Sequence, residues 1–260
     1  MDNGVKSVYG PAPIILDAAQ RAGACAHPPP DSSASNRDET MKRALTLLLA
    51  LAAALTSAQA QDARAGAKKV AMCIGCHGIP GYQATFPMVY KVPKIAGQNA
   101  KYITAALTAY QKGDRRHPTM RAIAASLTPA DIADVAAFYE ALGKTEATAP
   151  VPAVLETPVP EALKAKVIAC TACHGANFNT PTDGSIPRLA GQHVDYLYAA
   201  LRAYQIGGDA TDTRHPYIGR VNATMNGMAR VLEDADLKQI AAYLGSLPGE
   251  VKTVAESRFR

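Results

Sequence analysis

A five-residue pattern that occurs twice, Cys-x-x-Cys-His, constrains this chain more than any other feature of its sequence. It spans residues 73–77 and again residues 170–174. Two cysteines three positions apart share one face of a helical turn, so both thiols can add to the two vinyl groups of one porphyrin. The histidine that follows is then placed to bind the iron. The pattern predicts two covalently attached haem c groups, with these attachment and proximal ligand residues: Cys73, Cys76, Cys170, Cys173, His77 and His174.

Cysteine pairs of this spacing also occur in zinc sites and in redox dithiols. Two pairs could in principle close one zinc site with four thiolate ligands, although zinc-ribbon pairs lie closer together in sequence. Neither of these alternatives requires a histidine directly after the second cysteine, and here it occurs in both copies. The fifth cysteine, Cys25, has no partner in its own region, so the haem interpretation leaves no pair for a structural disulfide.

The first 60 residues have the composition of a leader rather than of a folded domain. Met41-Lys42-Arg43 begins a basic segment, an apolar run follows to Leu55, and Ala58-Gln59-Ala60 ends it. This order is typical of a cleavable secretory signal. We therefore interpret residues 1–40 as a non-native upstream extension and 41–60 as the signal peptide. The mature protein would begin near Gln61 in the periplasm; a long leader or an uncleaved anchor is the alternative.

The charge of the chain excludes one class of partner. There are 27 basic and 22 acidic side chains, for a net charge of +5. No basic tract with interleaved aromatic residues is present, so nucleic-acid binding is not expected. A modest positive charge suits docking on an acidic protein, although an ordinary solvated surface would carry the same charge.

The region after the signal divides into two copies of one domain, joined by a Pro-rich connector. A Pro-x-x-Ala-Gly-Gln segment follows each pentad, at 93–98 and 187–192, and an amphipathic last helix closes each copy. The buried face of that helix is predicted from apolar residues at i, i+3, i+4 and i+7. We expect a first domain at 61–147, a linker at 148–160, a second domain at 161–250 and a tail at 251–260. Since no strand alternation of useful length occurs, the predicted fold class is all-α, with each domain wrapped round one haem.

The residue opposite the proximal histidine is predicted from the register of the two copies. In the first copy Met120 lies in a loop seven residues before Leu127. In the second copy Met225 stands seven residues before Leu232, whereas Met228 matches an apolar packing position. We therefore predict Met120 and Met225 as iron ligands, with Met228 as the alternative. Ligation by the nearby histidines, His117 and His215, is the other alternative.

Pro93 and Pro187 follow the pentads at spacings that allow a second role. A metal-bound histidine normally donates its other ring N–H to a carbonyl or carboxylate. The main-chain carbonyl of each proline could accept that hydrogen bond. A plain loop proline that ends an extended segment is the alternative.

Together, the pentads, the Pro-x-Leu/Ile-x-Gly-Gln segments and the methionine before a final amphipathic helix resemble class I cytochrome c. Two such domains behind a signal peptide are similar to the diheme cytochrome c4 family, over residues 61–248. The resemblance implies a periplasmic electron carrier, loosely membrane-associated in some members, with His77/Met120 and His174/Met225 as axial pairs. Its implied partners are a quinol-oxidising complex (quinol-cytochrome c reductase) and a terminal oxidase or other reductase. The second ligand segment, from Gly207 to Asn226, is longer than its counterpart.

Iron with both axial positions filled has no site for a substrate, which favours electron transfer over catalysis. The expected function is single-electron transport by Fe(III)/Fe(II) cycling at two haems, without a small-molecule substrate and without enzymatic activity. The alternatives are the electron-acceptor subunit of a periplasmic dehydrogenase and, less favoured, a diheme peroxidase. A peroxidase needs one iron that can open to peroxide, and both copies here offer a methionine.

Overall fold

The computed structural model describes residues 42–43, 62–144, 151–153, 157–208 and 215–255. The chain divides into two compact units, residues 1–58 and 59–260, and all the described residues except Lys42 and Arg43 lie in the second. The predicted upstream extension and signal peptide lie outside the described residues, apart from Lys42 and Arg43, which are helical and exposed. No helix in the described ranges has the length and apolar character needed to cross a membrane.

The first haem-pentad domain is built from five helices with two short strands between the second and third. The strands β1 and β2 form an antiparallel pair. The elements are α1 (Ala63–Ala67), α2 (Ala71–His77), β1 (Gln83–Ala84), β2 (Tyr90–Lys91), α3 (Ala100–Lys112), β3 (Arg115–Arg116), α4 (Pro118–Ala125) and α5 (Pro129–Leu142).

The second domain repeats the order of the helices with one long helix in place of the first two, and its described residues contain no counterpart of the β1–β2 pair. Its elements are α6 (Glu161–His174), α7 (Val194–Ile206), β4 (Gly219–Arg220), α8 (Ala223–Arg230) and α9 (Asp234–Ser246). The all-helical class is confirmed, with strands of only two residues in the described part of the chain. Part of the longer second ligand segment, 209–214, lies outside the described residues, as do 145–150 and 154–156 of the linker region.

The last helix of each domain supplies the centre of its hydrophobic core. The predicted apolar face of α5 and that of α9 are both buried, with no side chain more than 4% exposed. Burying a large aliphatic side chain stabilises a fold by about 1.5–3 kcal/mol, so these faces hold the helices in place. The residues are Ile132, Val135, Ala136 and Tyr139 in α5, and Leu237, Ile240, Ala241 and Leu244 in α9.

The helix that leads into the first pentad differs from the prediction. A single helix from Ala63 to Cys73 was expected, but the chain turns at residues 68–70 and restarts as α2. Gly66 occupies the position that Leu163 holds in the continuous α6. Without a side chain, Gly66 lets α1 approach the main chain of Asp134 in α5, and glycine also weakens a helix by about 1 kcal/mol relative to alanine.

The two domains are joined by main-chain pairing at two places. Strand β3 pairs with β4 antiparallel, with Arg115 opposite Arg220. At the second place, residues beyond α9 return to the first domain: Lys252 N–H donates to Ala96 O at 2.9 Å, and Ala96 N–H donates back at 3.2 Å. Val254 then packs against the first core. Residues 251–255 of the predicted tail therefore lie on the first domain.

Candidate haem-binding sites

Each pentad forms the end of a helix, and each histidine is the last helical residue, at His77 of α2 and His174 of α6. The cysteines lie one helical turn apart. Cys73 packs against the first core and Cys170 against the second. All four pentad cysteines have free thiols, so none is committed to a disulfide.

The zinc alternative does not fit this geometry. Among the residues that the structure describes, which include all four pentad cysteines, no three His, Cys, Asp or Glu side chains could share a metal ion. The two cysteine pairs therefore do not form one tetrahedral thiolate site, which needs four ligands close together.

Both pentad histidines are held by a proline carbonyl. His77 Nδ1 lies 2.9 Å from Pro93 O, and His174 Nδ1 lies 3.0 Å from Pro187 O. Because a carbonyl only accepts, the ring proton is on Nδ1, which leaves the Nε2 lone pair free for a metal. Burial lowers the pKa of both histidines, against the opposing effect of these hydrogen bonds, so the rings are neutral at pH 7.

The two methionines predicted as ligands occupy matching positions in short helices. Met120 lies in α4, not in the loop that was expected; the His117 side chain caps this helix by accepting from Met120 N–H at 3.3 Å. Met225 lies at the same position of α8, where Asn222 caps the helix and accepts from Met225 N–H at 3.0 Å. Pro118 at the first helical position of α4 explains the helix, since its fixed φ suits that position and its missing N–H costs nothing there.

A pair of glutamines fixes the register of these helices. Gln111 Nε2 donates to the carbonyls of Ala124 and Leu127 at 2.8 and 2.9 Å. Gln205 Nε2 donates in the same way to the equivalent carbonyls in the second domain, at 3.0 and 2.8 Å. This register makes Met225 the counterpart of Met120, and it makes Met228 the counterpart of Ile123. It does not show ligation, and the choice of methionine stays a prediction.

The histidines considered as rival ligands do not occupy matching positions. His117 is half-buried, and its Nδ1 serves as the helix cap of α4. Its counterpart by position is Asn222 rather than His215, which lies at the edge of the described residues before β4. The two copies therefore do not offer a second histidine ligand at equivalent positions.

Two buried arginines that the sequence analysis did not single out lie between the domains. Arg115 and Arg220 are each 8% exposed and face each other across the β3–β4 pair. Arg115 Nη2 donates to the Tyr102 hydroxyl and Arg220 Nη2 to the Tyr196 hydroxyl, both at 3.1 Å. Each guanidinium also lies over a second tyrosine ring of its own domain. Within the described residues, neither guanidinium has a carboxylate partner.

This arginine pair fits the cofactor that the pentads predict. A buried charge without an opposite charge is costly, and two like charges side by side cost more. A neutral tyrosine hydroxyl accepts a hydrogen bond from the guanidinium but does not compensate its charge. Burial raises the pKa of Tyr102 to about 12, so its hydroxyl is neutral at pH 7. Although burial acts in the opposite direction, the charges of Arg220 and Arg115 lower the pKa of Tyr196, as expected where positive charge is not neutralised by a carboxylate. An anionic ligand is therefore expected here, and haem carries two propionate carboxylates. The free thiols, the neutral histidines and the arginine pair together suit two haems.

The repeat itself held a signal for these arginines. Arg115 stands five residues before Met120, and Arg220 stands five residues before Met225. The two arginines are recognised as equivalent only after Met120 and Met225 have been aligned. The segment between the preceding long helix and the arginine is much longer in the second copy than in the first.

Comparison with known proteins agrees with this architecture. The family model described as Cytochrome c matches residues 63–142 and 164–248, one copy in each domain. The chain belongs to the cytochrome c family. Among curated relatives, it is 31% identical to a cytochrome c4 of Thiocapsa roseopersicina, over 73% of this chain and 94% of the relative.

Two further likenesses refine the position of the chain within the cytochrome c family. The thiosulfate dehydrogenase electron acceptor of Stutzerimonas stutzeri is 32% identical, over 77% of this chain and 94% of that protein. The crystal structure of reduced recombinant cytochrome c4 from Pseudomonas stutzeri superposes with a TM-score of 0.51 at 25% identity, covering 73% of this chain and all of that one. These findings confirm the diheme cytochrome c4 type, with two tandem class I domains and two covalently bound haem c groups, and hence an electron-transfer cytochrome.

Proposed function

We propose that this cytochrome carries single electrons between redox protein partners in the periplasm, with His77/Met120 and His174/Met225 as its axial pairs. The observation that carries the proposal is the duplication of one local geometry. In each domain a pentad histidine is held through Nδ1 by a proline carbonyl, and a methionine stands at the third position of a capped short helix.

The chain's own residues prepare each site for electron transfer. When bound, haem supplies a one-electron Fe(III)/Fe(II) couple, and a thioether ligand raises its potential. The proline carbonyls keep the histidine rings oriented, and burial keeps the rings neutral. The buried arginines supply positive charge for anionic groups of the cofactor. With a methionine available in both domains, neither site is left open for a substrate.

Absorption and stoichiometry test this proposal together. We expect the far-red charge-transfer band of ferric haem with a methionine sulfur ligand, at an intensity corresponding to two sites per chain. A reductive titration should take up two electrons per chain, and peroxide should not be turned over. A band for one site only, together with peroxide turnover, would contradict the proposal and favour a diheme peroxidase.

The donor and acceptor are proposed in the same terms. Quinol-cytochrome c reductase is the proposed donor, and a terminal oxidase or other reductase is the proposed acceptor. We expect the purified reductase to reduce the ferric protein in stopped-flow mixing, with a rate that falls as ionic strength rises if charged surfaces steer the encounter. No reduction by the reductase at low salt would exclude it as donor.

A second candidate function follows from the likeness to the thiosulfate dehydrogenase electron acceptor. In this alternative the chain accepts electrons from a periplasmic dehydrogenase. Mixing the ferric protein with a thiosulfate dehydrogenase and thiosulfate tests it directly. Faster reduction in that mixture than with the quinol-oxidising complex would favour the acceptor role.

The proposed location has its own test. A chain that starts at Met41 should be exported through residues 41–60, and the mature protein should begin near Gln61. Cell fractionation followed by amino-terminal sequencing measures both. A cytoplasmic, haem-free product, or an uncleaved start, would contradict the proposed signal peptide.

A further inference from the structure

Two buried glutamines reach from each domain into the other. Gln98 and Gln192 end the Pro-x-x-Ala-Gly-Gln segments and are only 3% and 5% exposed. The glycines before them, Gly97 and Gly191, have φ values of 82° and 72°, a left-handed conformation that glycine adopts without strain. These turns direct both glutamine side chains across the domain boundary.

Gln192 makes a two-point contact with the main chain of Lys94 in the first domain. Lys94 N–H donates to Gln192 Oε1 at 3.0 Å, and Gln192 Nε2 donates to Lys94 O at 2.9 Å. The N–H of the next residue, His193, donates to the same Oε1 at 3.0 Å, which fixes the amide orientation.

Gln98 makes the reciprocal contact with Arg188 in the second domain. Arg188 N–H donates to Gln98 Oε1 at 2.9 Å, and Gln98 Nε2 donates to Arg188 O at 3.0 Å. Asn99 N–H donates to the same Oε1 at 3.0 Å. The two contacts are therefore equivalent, and the same geometry is present in both copies.

The peptide group that each glutamine binds is the one that holds a proximal histidine. The peptide between Pro93 and Lys94 accepts from His77 through its carbonyl and donates to Gln192 through its N–H. A peptide whose N–H is bound to an acceptor is polarised, so its carbonyl accepts more strongly, by roughly 10–30% per bond in a chain. Pro187 and Arg188 connect His174 to Gln98 in the same way.

We propose that Gln98 and Gln192 are positioning residues, each of which orients and polarises the proximal histidine of the opposite domain. This inference rests on the proposed function, in which His77 and His174 bind the irons. A stronger hydrogen bond at Nδ1 makes the imidazole a more basic ligand, which stabilises the ferric state. Gln192 therefore lowers the reduction potential of the site at His77, and Gln98 lowers that of the site at His174.

The test compares Gln192→Leu and Gln98→Leu in the full-length protein with both haems attached. The reduction potential of each site is followed by redox titration with NMR detection of the two haems. Gln192→Leu should raise the potential at His77 more than that at His174, and should speed hydrogen exchange of the His77 Nδ1 proton. Gln98→Leu should produce the reverse pattern. Gln192→Glu keeps the acceptor oxygen for Lys94 N–H, and should leave the potential at His77 at or below the wild-type value.

A matched control separates this effect from a loosened interface. Asn99 Nδ2 donates across the same boundary, to Ile186 O at 3.1 Å, without touching either histidine-bound peptide. Asn99→Ala should therefore leave the difference between the two potentials unchanged. Equal shifts at both sites, or shifts that match those of Asn99→Ala, would overturn the inference. A His77 ring proton without haem-induced shifts would instead overturn the proposed ligation itself, and the inference with it.

Discussion

Arg115 and Arg220 stand opposite each other in the antiparallel pair that joins the two domains, and each guanidinium is bound to a tyrosine hydroxyl of its own domain. The pair brings positive charge from both domains to one buried place. If the propionates of the two haems compensate it, the arginines link the electrostatics of both sites.

Removing one of these charges should lower a haem potential. We expect Arg220→Gln to lower the reduction potential of at least one site by on the order of 60 mV, which is about 1.4 kcal/mol for a one-electron couple. The reason is that a nearby positive charge disfavours the more positive ferric state. Spectroelectrochemical titration measures the effect. Arg220→Lys, which retains the charge, should keep most of the wild-type potential, and an unchanged potential in Arg220→Gln would exclude the electrostatic role.

The two candidate methionines of the second domain can be separated by paired variants. We expect Met225→Leu to halve the far-red band of the ferric protein, because one of two sulfur ligands is lost and leucine keeps the packing volume. Met228→Leu, one helical turn away, should leave the band intact. Absorption spectra scaled to haem content distinguish the two. The opposite pattern would assign Met228 as the ligand. The equivalence of Met225 with Met120, which the Gln205 contacts support, would then not identify the iron ligand.

Acid should weaken the ion pairs that hold the turn after α1 to α5. Lys69 Nζ contacts carboxylates of both Asp131 and Asp134 at 2.7 Å. The hydrogen bond from Lys69 is the main cause that lowers the pKa of Asp134. A depressed pKa in the folded state contributes stability that is full above the unfolded value of about 3.9 and is lost as pH falls through the folded value.

Asp134→Asn should therefore lower the melting temperature most near neutral pH. The difference from wild type should begin to shrink below about pH 4, where the carboxylate becomes protonated in the unfolded state, and should be lost once the pH falls below the depressed pKa of the folded state. Thermal unfolding at several pH values measures it. Adding Lys69→Met to Asp134→Asn should cost less than the sum of the single changes, since the residues are direct partners. A difference that does not vary with pH would rule out the ionic origin.

The close approach of α1 to α5 makes Gly66 intolerant of a side chain. A Cβ at Gly66 would collide with the carbonyl oxygen of Asp134. We expect Gly66→Ala to destabilise the protein by about 1–3 kcal/mol, the usual cost of overpacking. Gly227 in α8 is the control, because a Cβ there meets nothing within 4 Å and alanine is the better helix former. Gly227→Ala should raise the melting temperature slightly; similar losses in both variants would contradict the packing argument.

Periodicity and motif spacing were enough to predict much of this fold. The buried faces of α5 and α9 follow from apolar residues at helical intervals, since the same spacing that places them on one face also buries them. The number of domains and the two haem c groups followed from the repeated pentad. These features depend on residues close together in sequence, where local rules apply.

The features that could not be predicted depend on contacts distant in sequence. The break in the first helix arises from the approach of Gly66 to a helix some 70 residues later. Two contacts join the two copies: the pairing of Arg115 with Arg220 and the hydrogen bonds of Gln98 with Arg188. Neither contact produces a periodic pattern in the sequence of either copy. Even the short helix that carries Met120 was mistaken for a loop, because eight residues are too few for an apolar period to stand out.

The return of residues 251–255 to the first domain has a consequence for assembly. Val254 and the pairing of Lys252 with Ala96 complete the edge of the domain that is synthesised first, using residues that follow the whole second domain. The first domain therefore gains its last contacts only after the second domain has been synthesised. Maturation of the two halves is coupled in time, and proteolytic trimming after α9 would loosen the half of the protein that is farthest away along the chain.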